Sequence, residues 1–218
     1  MKRLFDILFS LVGLVFLSPL MLLIALAIVL ESRGGVFFRG VRVGRYGKDF
    51  RIFKFRSMIP DCEGKGKWNV GDDDDRITRV GHFLRKSKLD ELPQLINVLF
   101  GDMSFVGPRP ELRVYIDMYT EREQPILDLR PGITDWASLV NFSQFVGFTQ
   151  ADDPVEYYLK CVRPIKLDLQ LYYRNHHSFG DDLRCLFWTV GKVITRSEKL
   201  PKDIRAIVEE SRQQLQSL

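Results

Sequence analysis

The sequence predicts a mixed α/β, mostly helical protein, in which an apolar N-terminal membrane segment precedes one domain with a small β-hairpin and several amphipathic helices. Residues 7–30 contain no charged side chain, and only Ser10, Gly13, Ser18 and Pro19 among them fall outside the apolar set. An apolar run of about 18 residues or more is long enough to enter a membrane. From Val36 the pattern changes to alternating apolar and basic residues, which marks strands with one wet face. Beyond residue 77, apolar residues recur at helical spacing. The 218 residues include 16 Gly, 10 Pro and 3 Cys, which excludes collagen-like, disulfide-rich and disordered classes. Cys62, Cys161 and Cys185 form no CxxC pattern, which argues for a reducing compartment and against a zinc site.

A secretory leader has an apolar core of roughly 7 to 15 residues followed by a cleavage site. This run is longer, and its weak Ala25-x-Ala27 pattern lies inside it. As a straight helix the run measures about 36 Å against a hydrocarbon core of about 30 Å, so length alone favours one spanning helix. Two features favour folding back instead. Pro19 removes an N–H at the midpoint and Ser18 can bond to an earlier carbonyl, so a sharp kink is expected, with each half too short to span. Lys2 and Arg3 precede the run, and Arg33, Arg39, Arg42 and Arg45 follow it. Positive charge marks the cytoplasmic side, and here it flanks both ends. These residues leave a spanning helix and a re-entrant hairpin evenly balanced.

In the remaining chain, Arg45-Tyr46-Gly47-Lys48 reads as the turn of a hairpin. Its strands carry Val41, Val43, Ile52, Phe53 and Phe55 among the basic residues Arg42, Arg51, Lys54 and Arg56. A polar loop over 62–75 holds Gly64, Gly66, Gly71 and four consecutive aspartates. Helices are expected over 77–86 and 90–99, the second ending at Gly101. A further helix is expected over 112–127, followed by the Arg130-Pro131-Gly132 turn and a short strand near Leu139-Val140. The last helices are expected over 154–163, 164–175, 181–195 and 202–215. Phe105, Val114, Ile116, Met118 and Tyr119, with Leu186, Phe187 and Trp188, suit either core packing or helix faces lying on a membrane.

Three sets of residues can carry chemistry. Lys88-Leu89-Asp90-Glu91-Leu92-Pro93-Gln94 puts two adjacent carboxylates at a helix start, where they can bind a divalent metal or act as nucleophile and ligand. The same residues fit plain capping, with Ser87 as cap, Asp90 completing a capping box and Pro93 in the first turn. Val106-Gly107-Pro108-Arg109-Pro110-Glu111 sets one arginine between two stiffening prolines, which suits an anionic phosphate oxygen, or else is a rigid connector. Arg39, Lys54, Arg56, Arg76, Arg79, Arg85 and Arg109 form a basic set on segments flanking the acidic pair. Phosphoryl transfer needs such charge beside a metal carboxylate, although solvated surface charge looks the same. His82, His176 and His177 lack metal-ligand spacing and are assigned no role.

Taken in order, the residues match a known pattern. Lys2-Arg3-x-x-Asp6 precedes the apolar run broken at Ser18-Pro19. Phe53-Lys54-Phe55-Arg56-Ser57-Met58, Asp75-Arg76-Ile77-Thr78 and Leu89-Asp90-Glu91-Leu92-Pro93-Gln94 follow. Gly101-Asp102-Met103-Ser104-Phe105-Val106-Gly107-Pro108-Arg109-Pro110 and Arg130-Pro131-Gly132-Ile133-Thr134 complete it. Over about residues 2–200 the chain resembles the bacterial sugar transferase family, the small monotopic phosphoglycosyl transferases that begin glycan assembly on polyprenol phosphate.

The resemblance implies transfer of a sugar 1-phosphate from a UDP-sugar to undecaprenyl phosphate, with release of UMP and a requirement for Mg2+. It implies that Asp90 attacks the β-phosphate to form a covalent phosphosugar intermediate, with Asp90 and Glu91 as the catalytic, metal-holding pair. Pro108, Arg109 and Pro110 would contact the nucleotide, and Lys54, Arg56, Arg76 and Arg85 would lie near the phosphates. The Ser18-Pro19 break matches the family's re-entrant signature, which tilts the topology to a membrane hairpin over 1–33 with a cytoplasmic catalytic domain over 34–218. The implied location is the cytoplasmic face of the bacterial inner membrane, with membrane lipids as partners and a capsule, exopolysaccharide, O-antigen or glycoprotein glycan as the product. The chain departs from the family after Ile133-Thr134. There the family commonly has Gly and later a Gly-Arg pair, whereas this chain has Asp135-Trp136-Ala137-Ser138-Leu139-Val140-Asn141-Phe142-Ser143. A membrane-anchored basic binding module without catalysis is the competing class, since 32 Lys and Arg against 28 Asp and Glu leave a net charge of +4. Those basic residues are dispersed among acids without long Lys/Arg runs, so no nucleic-acid partner is expected.

Overall fold

The computed structural model describes residues 1–60, 74–142 and 154–216. The chain divides into two compact units, Met1–Gly44 with Lys48–Ser104, and Arg45–Gly47 with Phe105–Leu218. Most of the polar loop expected over 62–75, Cys62 within it, and Ser143 lie outside the described residues.

In the first unit, helix α1 (Lys2–Glu31) is long and apolar enough to cross a membrane, and it runs unbroken through Pro19. The sharp break expected at Ser18-Pro19 is therefore not confirmed. Pro19 cannot donate to the carbonyl of Val15 four residues earlier, and the Ser18 hydroxyl donates to that carbonyl at 2.8 Å. The bond lost to proline is replaced locally, so helical geometry continues. The residues that α1 buries are Asp6, Ser10, Ile24 and Ile28, whereas Val15, Phe16, Leu22, Leu23 and Leu30 stand exposed.

Both ends of α1 are tied to the same unit. Arg3 donates to the carbonyls of Val98 and Leu99 at 2.6 and 2.8 Å, and Asp6 accepts from the Ser104 hydroxyl at 3.1 Å. At the other end, the Glu31 carboxylate accepts from the backbone N–H groups of Arg79 and Val80 at 2.8 and 2.9 Å. That carboxylate caps the N-terminus of α2 (Arg79–Ser87), where a negative charge meets the positive end of the helix dipole. Arg56 donates to the Ser32 and Arg33 carbonyls and so closes the C-terminus of α1.

The expected hairpin is present, with β2 (Val41–Val43) antiparallel to β3 (Asp49–Arg51) and Val41 opposite Arg51. An outer pair extends it, β1 (Phe37–Phe38) with β4 (Lys54–Phe55). Phe55 packs into a core with Ile24, Ile28 and Leu84, lined by Met21, Val80, Leu89 and Leu92. Gly81 must lack a side chain, because a Cβ there would stand 2.0 Å from the Ser57 carbonyl oxygen. Helix α3 (Gln94–Phe100) ends at Gly101, whose φ of 92° needs glycine.

Asn97 of α3, 0% exposed, joins the sheet to the helix. Its carbonyl accepts from the Phe53 N–H, and its amide donates to the Arg51 carbonyl and the Asp102 carboxylate. Asn97→Ala would orphan two backbone groups, and is expected to destabilise the protein by about 3 kcal/mol in a urea titration.

In the second unit, β5 (Ser104–Val106) shares a two-stranded sheet with β6 (Gly132–Thr134). The strand expected near Leu139-Val140 is instead placed at β6, and residues 137–139 form a helical turn. The helix expected over 112–127 is reduced to α4 (Arg113–Ile116) and a later turn, Gln124–Asp128. Pro125 has no N–H to give a continuous helix, and it sits in the first turn of the second piece.

The segments expected over 154–163 and 164–175 form a continuous helical run. It comprises α5 (Pro154–Tyr157), one wide turn over Tyr158–Val162 and α6 (Arg163–His176). Pro164 cannot make a regular helical bond, and the ladder widens just before it so that the Arg163 N–H reaches the Tyr158 carbonyl. Helices α7 (Phe179–Thr195) and α8 (Lys202–Gln216) follow, close to their expected positions. Trp136, Ile165, Leu169, Tyr173, Cys185, Ile204 and Val208 form the core of this unit. Leu186 and Trp188 pack against that core, while Phe187, Val190, Val193 and Ile194 leave an apolar stripe of α7 exposed.

Candidate active site

Lys88, at φ 59°, ends α2 in the left-handed region, and the chain turns at once into the short helical turn Leu89–Glu91. Leu89 and Leu92 both pack against the Ile24, Ile28, Phe55 and Leu84 core, which fixes the turn between them. The capping expectation does not hold here. The Ser87 hydroxyl donates back to the Phe83 carbonyl, and Asp90 belongs to the Leu89–Glu91 turn that precedes α3.

Lys54, at the start of β4, reaches this pair. Its ammonium lies 2.7 Å from Glu91 Oε1 and 4.0 Å from Asp90 Oδ2. Asp90 is 9% exposed. Burial raises its carboxyl pKa above the ordinary aspartate value, Lys54 opposes that shift, and the Glu91 charge adds to it. A raised pKa means that the ionised carboxylate works against folding. The stability contributed by its protonated form is complete below the ordinary value and is lost as pH rises through the raised one. A carboxylate held at such a cost suits a nucleophile.

The other basic residues of this unit are held in different ways. Arg85 donates to the Ser57 hydroxyl at 3.0 Å, and its charge is among those that act on Asp90. Arg56 is engaged at the end of α1, and Arg39 stacks on Phe53 at 4.1 Å. Arg76 grips the Asp74 carboxylate through two side-chain bonds, which hold that carboxyl well below the usual range. The structure thus brings Lys54 onto the acidic pair, with Arg85 within electrostatic reach.

Asp90 and Glu91 are adjacent carboxylates that could hold a metal. Among the described residues no group of three or more His, Cys, Asp or Glu side chains gathers at one point. Two adjacent carboxylates are a donor set that would suit Mg2+, with waters and substrate phosphates completing its shell. His176 and His177 each place a ring nitrogen on a nearby backbone carbonyl.

Pro108, Arg109 and Pro110 lie in the second unit, immediately after β5. The Gly107 N–H donates to the Thr134 carbonyl and the Gly132 N–H to the Pro108 carbonyl, at 3.0 and 2.9 Å. Two residues that sequence reasoning missed hold the far side. Glu111, 6% exposed, forms a buried ion pair with Lys166 of α6. The one sequence hint of that pairing was a lysine among the apolar positions of a helix.

Residues 1–196 match the family model described as bacterial sugar transferase. The chain is 41% identical over 198 residues to a UDP-N-acetylgalactosamine-undecaprenyl-phosphate N-acetylgalactosaminephosphotransferase of Aeromonas hydrophila, covering 89% of this chain and 44% of that protein. It is 37% identical over 194 residues to the uncharacterized sugar transferase EpsL of Bacillus subtilis (strain 168), covering 89% and 87%. With the UDP-glucose:undecaprenyl-phosphate glucose-1-phosphate transferase of Escherichia coli (strain K12) it shares 38% over 195 residues, covering 88% and 40%. The chain thus spans less than half the length of the Aeromonas and Escherichia relatives.

Proposed function

Because the chain belongs to the bacterial sugar transferase family, we propose that it transfers a sugar 1-phosphate from a UDP-sugar to undecaprenyl phosphate and releases UMP, as the first step of glycan assembly on the membrane. The observation that carries this reading is the Asp90-Glu91 pair on a turn anchored by Leu89 and Leu92, with the Lys54 ammonium against it. In the proposed reaction an Asp90 carboxylate oxygen attacks the β-phosphorus of the donor. The bond from that phosphorus to the bridging oxygen breaks, and UMP leaves with the electron pair. An oxygen of undecaprenyl phosphate then attacks the same phosphorus, frees the Asp90 carboxylate and forms the sugar diphosphate lipid. Lys54 and Arg85 supply positive charge to the phosphates, and Arg109 binds the nucleotide. Mg2+ held by Glu91 and Asp90 would neutralise charge on the diphosphate.

The relatives transfer different sugars by name, N-acetylgalactosamine in one and glucose in another, at nearly equal identity. The test is therefore a screen of UDP-Gal, UDP-Glc and UDP-N-acetylated sugars with Mg2+ and undecaprenyl phosphate. UMP release with at least one of them is expected, whereas none with any would leave a non-catalytic binding module as the better reading.

The same proposal places residues 1–33 as a re-entrant membrane insert and 34–218 as a domain at the cytoplasmic face. A spanning helix separates its ends by about 30 Å of hydrocarbon. Here Arg3 and Glu31, at opposite ends of α1, both bond to the short α2–α3 segment of one unit, which supports ends that emerge on one side. The exposed apolar side chains of α1 give lipid a surface to cover in the first unit, and the α7 stripe gives a separate one in the second. With the native cysteines replaced, single cysteines introduced at positions 2 and 45 are expected to label from the cytoplasmic side alone. Labelling of position 2 from the periplasm with position 45 from the cytoplasm would make α1 a spanning helix.

A further inference from the structure

We infer that Asp135 is a positioning residue for the nucleotide-binding segment Pro108-Arg109-Pro110, an inference that rests on the transferase reading above. The segment has an unusual backbone. Two of its three residues are prolines without an N–H, so the Arg109 N–H is the one backbone donor through which it can be held from below. Its entry is already fixed, because Gly107 and Gly132 lie back to back. A Cβ on Gly107 would stand 2.2 Å from the Arg130 carbonyl oxygen, and one on Gly132 would stand 2.1 Å from the Gly107 nitrogen. Its exit is fixed by the Glu111–Lys166 pair. Between these points, Asp135 accepts the Arg109 N–H on Oδ2 at 3.3 Å.

Asp135 is itself rigid and 2% exposed. Its Oδ1 accepts the Ser138 N–H at 2.7 Å and the Ser138 hydroxyl, which ties it to the turn Ala137–Leu139. The Gln170 amide donates to Oδ2 at 3.4 Å, while the Gln170 carbonyl oxygen is buried without a partner. A carboxylate is required at this point, because the Ser138 N–H approaches Oδ1 while the Arg109 N–H and the Gln170 amide approach Oδ2. Glycine could make none of these bonds. Asp135 is thus a second brace under Arg109, and it acts through the arginine's backbone without touching substrate.

The test measures KM for the UDP-sugar, kcat and thermal stability of the full chain carrying Asp135→Asn. An amide has one acceptor oxygen, which stays with the closer Ser138 N–H and turns its NH2 toward Oδ2's former partners. The Gln170 amide can flip to receive that NH2 on its free oxygen, so the protein stays folded and the loss falls on Arg109. KM is expected to rise about ten-fold with kcat changed less than about two-fold, the pattern of lost uniform binding. In an Arg109→Ala background the same substitution should leave KM nearly unchanged, which a role confined to folding would not produce. Asp135→Ser, which keeps a short capping oxygen but cannot reach Arg109, serves the same purpose should Asp135→Asn not fold, and carries the same expected KM. An unchanged KM, or an equal loss in the Arg109→Ala background, overturns the inference while leaving the transferase reading intact. Absence of UMP release by the wild-type chain overturns that reading and this inference with it.

Discussion

Asp90→Asn is expected to remove UMP release from UDP-sugars while leaving the protein folded and at least as stable as the wild type. The substitution keeps the size and shape of the side chain but deletes the oxygen nucleophile, so activity should fall by about 1,000-fold or more. The folded state has no reason to suffer. Burial already disfavours the ionised form of Asp90, and the neighbouring Glu91 charge adds to that. A neutral amide removes this cost at pH 7, and Lys54 keeps its bond at 2.7 Å to Glu91. Catalytic groups held against the preference of the fold commonly trade stability for activity in this way. UMP release and thermal melting on the same preparation check both halves, and a variant that keeps normal turnover would remove Asp90 from the nucleophile's role.

Lys166→Ala should have the largest effect on folding. Lys166 is buried against Glu111 and lies close to Tyr158 and Asp135. Burial pulls its pKa down, but the charge of Glu111 together with Tyr158 outweighs that and leaves it above the ordinary lysine value. The pair's contribution is therefore complete below the ordinary lysine pKa and is lost only as pH rises through the raised one. Removing the ammonium leaves a buried carboxylate whose second oxygen already lacks a partner. The expected loss is about 3–5 kcal/mol at neutral pH in a urea titration. Replacing both members by apolar residues of similar volume should restore much of it, because the cost lies in the uncompensated charge.

The first half of the molecule was more legible in sequence than the second. Alternation around Arg45-Tyr46-Gly47-Lys48 located a hairpin that the structure shows, with β2 antiparallel to β3, because a period of two sends successive side chains to opposite faces. The apolar run located the body of α1, which extends from Lys2 to Glu31, but not its continuity. Whether a Ser-Pro pair breaks a helix depends on whether the serine satisfies the carbonyl that proline abandons, and Ser18 does so at Val15. The segment over 112–127 has helical spacing, yet the helix stops at Ile116, and Pro125 opens a separate helical turn where proline's missing N–H is tolerated.

At the site, Asp90-Glu91 stood out as adjacent carboxylates, and the resemblance pointed to Lys54. Its contact with Glu91 joins residues 37 apart, which no local pattern encodes. Glu111 with Lys166, 55 residues apart, and Asp135 with Arg109, 26 apart, were hidden for the same reason. Each of these pairs looks in sequence like ordinary surface charge until folding buries it.

In the proposed reaction Asp90 carries the sugar phosphate between donor and acceptor. A single-turnover experiment tests it most directly, with enzyme, UDP-sugar and Mg2+ mixed without undecaprenyl phosphate, then quenched and analysed by intact-protein and peptide mass. A burst of about one UMP per enzyme is expected, with a gain of one sugar phosphate on the peptide containing Asp90 that is discharged when undecaprenyl phosphate is added. Formation of the lipid product by the wild type with neither burst nor adduct would contradict it and make the transfer direct.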